Sequence, residues 1–262
     1  MVIPVYDKNP IRRTQVVTYT LIGLCTVVFM LGPLAGFAGT YGSGQQLACA
    51  QAVYFDHWGV IPAELFHGQL ALDRLGLPAG CATPRAFTKV PVLSVVTAMF
   101  LHASWLHLIG NMLFLYVFGD NVENRMGRVR FALFFLVAGF LATYGFAFAN
   151  PDDTQSLVGA SGAISGALGA YLYLYPKARV TSLFPFLFFI PLRFPAWMVL
   201  GFWFVLQWLA AQTAQNGPGV AYLAHVVGFA FGFLCAWVCY RPRRKLSLAV
   251  GSARGTQGDI QP

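Results

Sequence analysis

Six polar side chains lie inside long apolar runs of this chain: His107, Asn111, Ser161, Ser165, Gln207 and His225. A polar group in hydrocarbon is costly, and an ionisable one there is a functional hypothesis by default. His107 and Asn111 are one helical turn apart and would share a face. A serine and a histidine that meet form a nucleophile and its general base. The imidazole takes the hydroxyl proton during attack on a carbonyl and returns it to the leaving amine. The oxyanion then needs fixed donors. The Asn111 amide, a His107 ring N–H and the Ser161 backbone N–H are available for that task. No acid lies beside these groups within the runs, so the expectation is a serine–histidine dyad, not a triad.

The elements that must position these groups follow from composition. The chain has 262 residues, of which 57% are hydrophobic and 10% charged, and its mean hydropathy is +0.62. A soluble domain carries roughly 25% charged residues, so this composition describes an integral membrane protein. Six apolar segments are long enough to span: about Thr14–Phe37, Ser104–Val122, Arg130–Asn150, Leu157–Tyr175, Ala196–Gln212 and Val220–Tyr240. The first exceeds the apolar core of a cleaved signal peptide, which favours a span. The net charge of +8 could suggest nucleic acid, but its distribution argues against that partner. Lys8, Arg12, Arg13, Arg125, Arg128, Arg130, Lys177, Arg179, Arg193 and Arg241–Lys245 all fall on one side of the alternating spans. By the positive-inside rule both termini are cytoplasmic. The expected organisation is a cytoplasmic stretch 1–13, a helical unit 14–240 with a long outer connection at about 38–103, and a basic, disordered tail 241–262.

With that orientation, the second, fourth and sixth segments all enter from outside. Ser104 is placed to cap the second. At 1.5 Å per residue, His107, Ser161 and His225 then lie roughly 5–8 Å below one face. Random packing residues do not produce that coincidence. Small residues have a plainer role. Gly162 to Gly166 is a small-xxx-small pair and Gly228 to Gly232 is GxxxG, both ordinary seams between membrane helices. Ser165 reads as structural, back-bonded to its own helix, and His102 as a loop residue. Ser182–Leu192, short and broken by Pro185 and Pro191, reads as an interfacial or re-entrant piece. Cys49 and Cys81 share the long outer connection and could form a disulfide if that side is oxidising.

His107-Leu-Ile-Gly-Asn111, Gly159-Ala-Ser161-Gly162 and Ala224-His225-Val-Val-Gly228 resemble the HxxxN, GxSG and AHxxG motifs of rhomboid intramembrane serine proteases, in the same order and on the corresponding spans. The stretches from Ile3 to Arg13, Val60–Glu64, Phe100–His107 and Gly119–Glu123 are similar to bacterial rhomboids. The resemblance covers roughly residues 3–240. It implies an all-α membrane protein with a six-transmembrane-helix rhomboid bundle. It also implies Ser161 as nucleophile, His225 as base, and His107 and Asn111 at the oxyanion. The substrates would be membrane-anchored proteins cut in or near a transmembrane segment, with no metal or cofactor. The location implied is the bacterial inner membrane. Two departures stand out. The Trp-Arg pair of many rhomboids is absent before Val92, and Ser165 occupies the place of a tyrosine that stacks on the base in some members. Support for the His225 ring must then come from elsewhere. Two other functions remain open at this level: a non-proteolytic scaffold that holds membrane proteins, and a small channel or transporter using the two histidines and Asn111 as a polar path. Retention of serine and histidine speaks against the first. The lack of an internal repeat, and of any acid in the spans other than Asp120 near the end of the second, speaks against the second reading.

Overall fold

The computed structural model describes residues 3–9, 14–37, 39–70, 77–81, 88–184, 189–213 and 220–240. The expected tail 241–262, Arg12 and Arg13 lie outside the described residues. The long helical elements fall on the six apolar segments. Helix α1 is Val16–Leu31. In the long connection that follows, α2 is Gln45–Trp58, α3 is Pro62–His67 and α4 is Pro91–Ala98. Helix α5 (Trp105–Phe114) passes through a π-helical stretch, Leu115–Gly119, into α6 (Asp120–Met126). Gly127, at φ +86°, ends α6 and lets α7 (Arg128–Ala149) begin at the next residue. Helices α8 (Ser161–Leu174), α9 (Ala196–Thr213) and α10 (Tyr222–Cys239) complete the bundle. Three of these, α7, α9 and α10, are each long and apolar enough to cross a membrane alone. Their outward faces expose large apolar side chains, including Leu133, Phe148, Trp197, Phe202 and Trp237, as contact with lipid requires.

Helix α8 is the central rod, buried continuously from Ala163 to Tyr171. Glycine makes this possible. A methyl group on Gly228 or Gly232 would run into the backbone carbonyls of Gly162 and Gly166, and one on Gly169 into that of Phe229. On its other side, a methyl on Gly162 would lie 2.7 Å from the Ala142 side chain of α7, and one on Gly166 the same distance from Ala138. Without competing side chains, α8 and α10 approach to backbone contact and α7 lays only alanine methyls against α8, the geometry that small-residue seams permit in membranes.

Two departures from expectation concern the backbone. Residues Arg179–Phe184 and Ile190–Pro195 are not a re-entrant piece. They form strands β2 and β3, and Ile3–Asp7 forms β1 in a three-stranded antiparallel sheet of order β1-β2-β3. The prolines agree with that order. Pro4, Pro191 and Pro195 lie on the edge strands and none on central β2, where a missing N–H would break the ladder. The second departure is at the start of the fourth segment. Leu157–Ala160 are not helical, because Val60 and Leu157 pair as an isolated antiparallel bridge. Ser161 therefore opens its helix instead of lying one turn inside it.

Candidate active site

The segment before Ser161 is held from both sides by the long connection. Val60 N donates to Leu157 O at 3.1 Å and Leu157 N to Val60 O at 2.6 Å. Ser156 Oγ donates to Phe55 O at 2.7 Å, and Gly159 N to Ala98 O at 2.9 Å. The connection is itself fastened by the Cys49–Cys81 disulfide and by a buried ion pair, Lys89 Nζ to Glu64 Oε2 at 2.6 Å. Burial pushes the Lys89 ammonium below its ordinary range, and the Glu64 carboxylate opposes that shift. Gly159 adopts φ +118°, which an L side chain rarely tolerates, and a Cβ there would lie 2.8 Å from His107 Nε2. The His107 ring and the turn into α8 thus occupy adjoining space that only glycine leaves open.

Ser104 caps α5, its Oγ accepting from His107 N at 3.1 Å. His107 Nδ1 accepts from the Ala103 N–H at 3.4 Å, so in the neutral ring the proton resides on Nε2, the nitrogen facing Gly159. Asn111 lies one turn further on the same face, buried, and its Nδ2 has no hydrogen-bond partner among the described residues. An orphaned buried donor costs stability, so its persistence marks a place where an acceptor is awaited. His102, in the loop before α5, is buried with its ring edge-on to His107 at 5.1 Å between centroids.

Ser161 Oγ lies 2.8 Å from His225 Nε2, with His225 in the first turn of α10. The first backbone N–H groups of a helix lack intrahelical partners and carry its positive dipole end. Opening α8 with Ser161 therefore supplies a donor beside the Ser161 hydroxyl that a mid-helix serine would have spent on its own helix. Ser165 Oγ donates back to Ser161 O at 2.6 Å and takes no part in the dyad. The other ring nitrogen of His225, Nδ1, lies 2.7 Å from Gln207 Oε1 on α9. Trp203, one turn earlier, lies 6.1 Å from the His225 ring at 31°. The sequence offered Gln207 only as a lone amide without a role. Its depth was the usable signal: it lies roughly 9 Å from the C-terminal end of α9, near the level of His225.

A family model described as the Rhomboid domain matches residues 91–242. The chain belongs to the rhomboid family. It is 31% identical over 149 residues to Rhomboid protein 1, mitochondrial, of Saccharomyces cerevisiae, covering 55% of this chain and 41% of that protein. Similarity to RHOMBOID-like protein 6, mitochondrial, of Arabidopsis thaliana is 30% over 150 residues, 55% of this chain and 42% of the relative. For the putative rhomboid protease YdcA of Bacillus subtilis the figures are 26% over 153 residues, 58% and 69%. The chain thus spans about two fifths of the yeast and plant relatives. Family and apolar helices together make this rhomboid an integral membrane protein.

Proposed function

We propose that this rhomboid is an intramembrane serine endopeptidase, with residues 14–240 as its catalytic unit, acting on membrane-anchored proteins in or near a transmembrane segment. The single observation that carries this reading is the 2.8 Å contact between Ser161 Oγ and His225 Nε2. In the first half-reaction, Ser161 Oγ attacks the scissile carbonyl carbon while its proton moves to Nε2 of His225. The negative oxygen is received by His107 Nε2–H, Asn111 Nδ2 and the Ser161 N–H. As the carbonyl re-forms, the C–N bond breaks and the Nε2 proton leaves with the amine. Water, deprotonated by His225, then hydrolyses the acyl-enzyme and returns the proton to Ser161. A substrate helix must unwind locally first, because its carbonyls are hydrogen-bonded within the helix, so small or helix-breaking residues are expected near the cut. The lysine and arginine distribution supports cytoplasmic termini. The similarity to bacterial rhomboids supports placement in a bacterial inner membrane.

A scaffold that only holds membrane proteins has no use for a serine hydrogen-bonded to a histidine. The test is covalent labelling by a fluorophosphonate. Wild type should label, whereas Ser161→Ala and His225→Ala should not, with melting temperatures unchanged. Equal labelling of all three proteins, or an unlabelled wild type, would sink the reading.

A further inference from the structure

We propose that Gln207 is the positioning residue of the base. Its side-chain oxygen accepts the Nδ1 proton of His225 and holds the imidazole in the one tautomer whose bare Nε2 faces Ser161. This rests on the reading of Ser161 and His225 as the catalytic dyad.

The two ring nitrogens are engaged at once: Nδ1 at 2.7 Å from Gln207 Oε1 and Nε2 at 2.8 Å from Ser161 Oγ. A neutral imidazole carries one N–H, and the partner of one nitrogen decides the state of the other. An oxygen beside Nδ1 draws the proton there and leaves the Nε2 lone pair for the serine hydroxyl. The opposite tautomer would point an N–H at Ser161 and could not accept its proton. Ser165 does not supply this support, because its hydroxyl is committed to Ser161 O at 2.6 Å. Trp203 and Gln207 are one turn apart and share a face of α9. The helix therefore offers the ring both a flat apolar neighbour at 6.1 Å and a hydrogen-bond acceptor.

The choice of an amide has a physical reason. A carboxylate within a span would have to be stripped of water, whereas the amide oxygen accepts the same bond without net charge. It also keeps accepting once His225 is doubly protonated during attack. The buried side chains of α9 are Ala196 and Leu200, both in the half away from Gln207. Orientation of the base is thus tied to the outer half of α9 lying against α10.

The test uses the full chain in detergent and in liposomes, with a transmembrane reporter substrate. Gln207→Leu fills the space without an acceptor, and Gln207→Glu restores an acceptor on the same stem. Loss of the partner that orients a metal-bound histidine typically costs ~10–100-fold, and a bond that orients a catalytic base acts in the same way. Gln207→Leu should lose that factor in kcat with KM and melting temperature unchanged, and Gln207→Glu should recover to within a few-fold of wild type. A wild-type kcat in Gln207→Leu, or a folded Gln207→Glu as slow as Gln207→Leu, overturns the proposal. The 1H–15N histidine spectrum of unmutated protein gives a check free of folding effects. Protonated Nδ1 and bare Nε2 at His225 are expected, with the signal assigned by its loss in His225→Ala, and a bare Nδ1 overturns the proposal. If His225→Ala still labels with fluorophosphonate, the dyad itself fails. If His225→Ala is inert while Gln207→Leu cleaves normally, only the positioning role fails.

Discussion

At the sheet end of the helices, Asp7 Oδ2 accepts from Tyr171 OH at 2.5 Å, Asn9 Nδ2 at 2.9 Å and Asn121 Nδ2 at 3.1 Å. Glu123 there accepts from the Val17 and Thr18 N–H groups and the Thr18 hydroxyl, at 2.7–3.0 Å. At the opposite end, Asn111 points a buried amide at no partner and His107 presents Nε2 toward an open glycine. Both ends bury polar groups in an apolar protein, but the Asp7 and Glu123 networks are closed and the surroundings of Asn111 are not. Gln15 Nε2 and Ser182 Oγ are unpaired near the sheet, yet neither adjoins Ser161 or His225. Closed networks hold chain segments together: Glu123 serves the start of α1, where Gln15 provides no side-chain cap. Under the proposed function, the open one leaves donors for charge that exists only during a reaction.

That contrast can be broken by substitution. Asn111→Ala should lower kcat by ~10²–10³ (about 2.7–4 kcal/mol) while leaving the melting temperature unchanged, because no internal bond is lost. Reporter cleavage and a thermal melt on the same sample decide it. Glu123→Ala should do the converse. It strands two backbone donors at the head of α1, costing about 2–3 kcal/mol of stability, with kcat per folded molecule retained. A large kcat loss without destabilisation would erase the distinction between the ends. Asp7→Asn is subtler. Burial pushes the Asp7 carboxyl above its ordinary range, while the bonds from Tyr171, Asn9 and Asn121 pull the other way. The folded state therefore favours the protonated form. Its contribution is fully present below the unfolded value of about 4 and is lost as pH rises through the folded one. Wild type should lose stability across that window relative to Asp7→Asn, which keeps an acceptor and does not ionise. Thermal melts of both proteins from acid to neutral pH measure the difference. Ser165→Ala should have the smallest effect, under about 1 kcal/mol in stability and a few-fold in rate, since a back-bonded helix serine contributes little. Loss of all cleavage in that variant would place Ser165 in the chemistry.

The sequence was most informative where the signal is local. Ser104 could be read as a cap because capping needs only a hydroxyl three residues before a backbone N–H. The glycines of α8 and α10 could be read as a seam because spacing alone puts them on one face. The sheet was not legible. Strand β1 pairs with residues over 170 positions later, and a short apolar run such as 182–192 has no period that separates strand from buried loop. The non-helical path of Leu157–Ala160 was hidden for the same reason, since the bridge partner of Leu157, Val60, is remote in sequence. Gln207 could be listed as a polar residue in a span but given no role, because nothing along the chain shows which ring nitrogen it meets.

The bridge between Val60 and Leu157 also has a consequence in time. Chains emerge N-terminal end first, so the connection carrying Val60 and Ala98 is made before the segment it holds. Ser161 can be seated on a surface already in place. His225 follows 64 residues after Ser161, on the last helix described. Until that helix arrives, the growing protein holds a serine with no base beside it. Under the proposed function, a chain stalled or cut short before α10 is chemically silent, and the capacity to cleave neighbours begins only when synthesis of the bundle is complete.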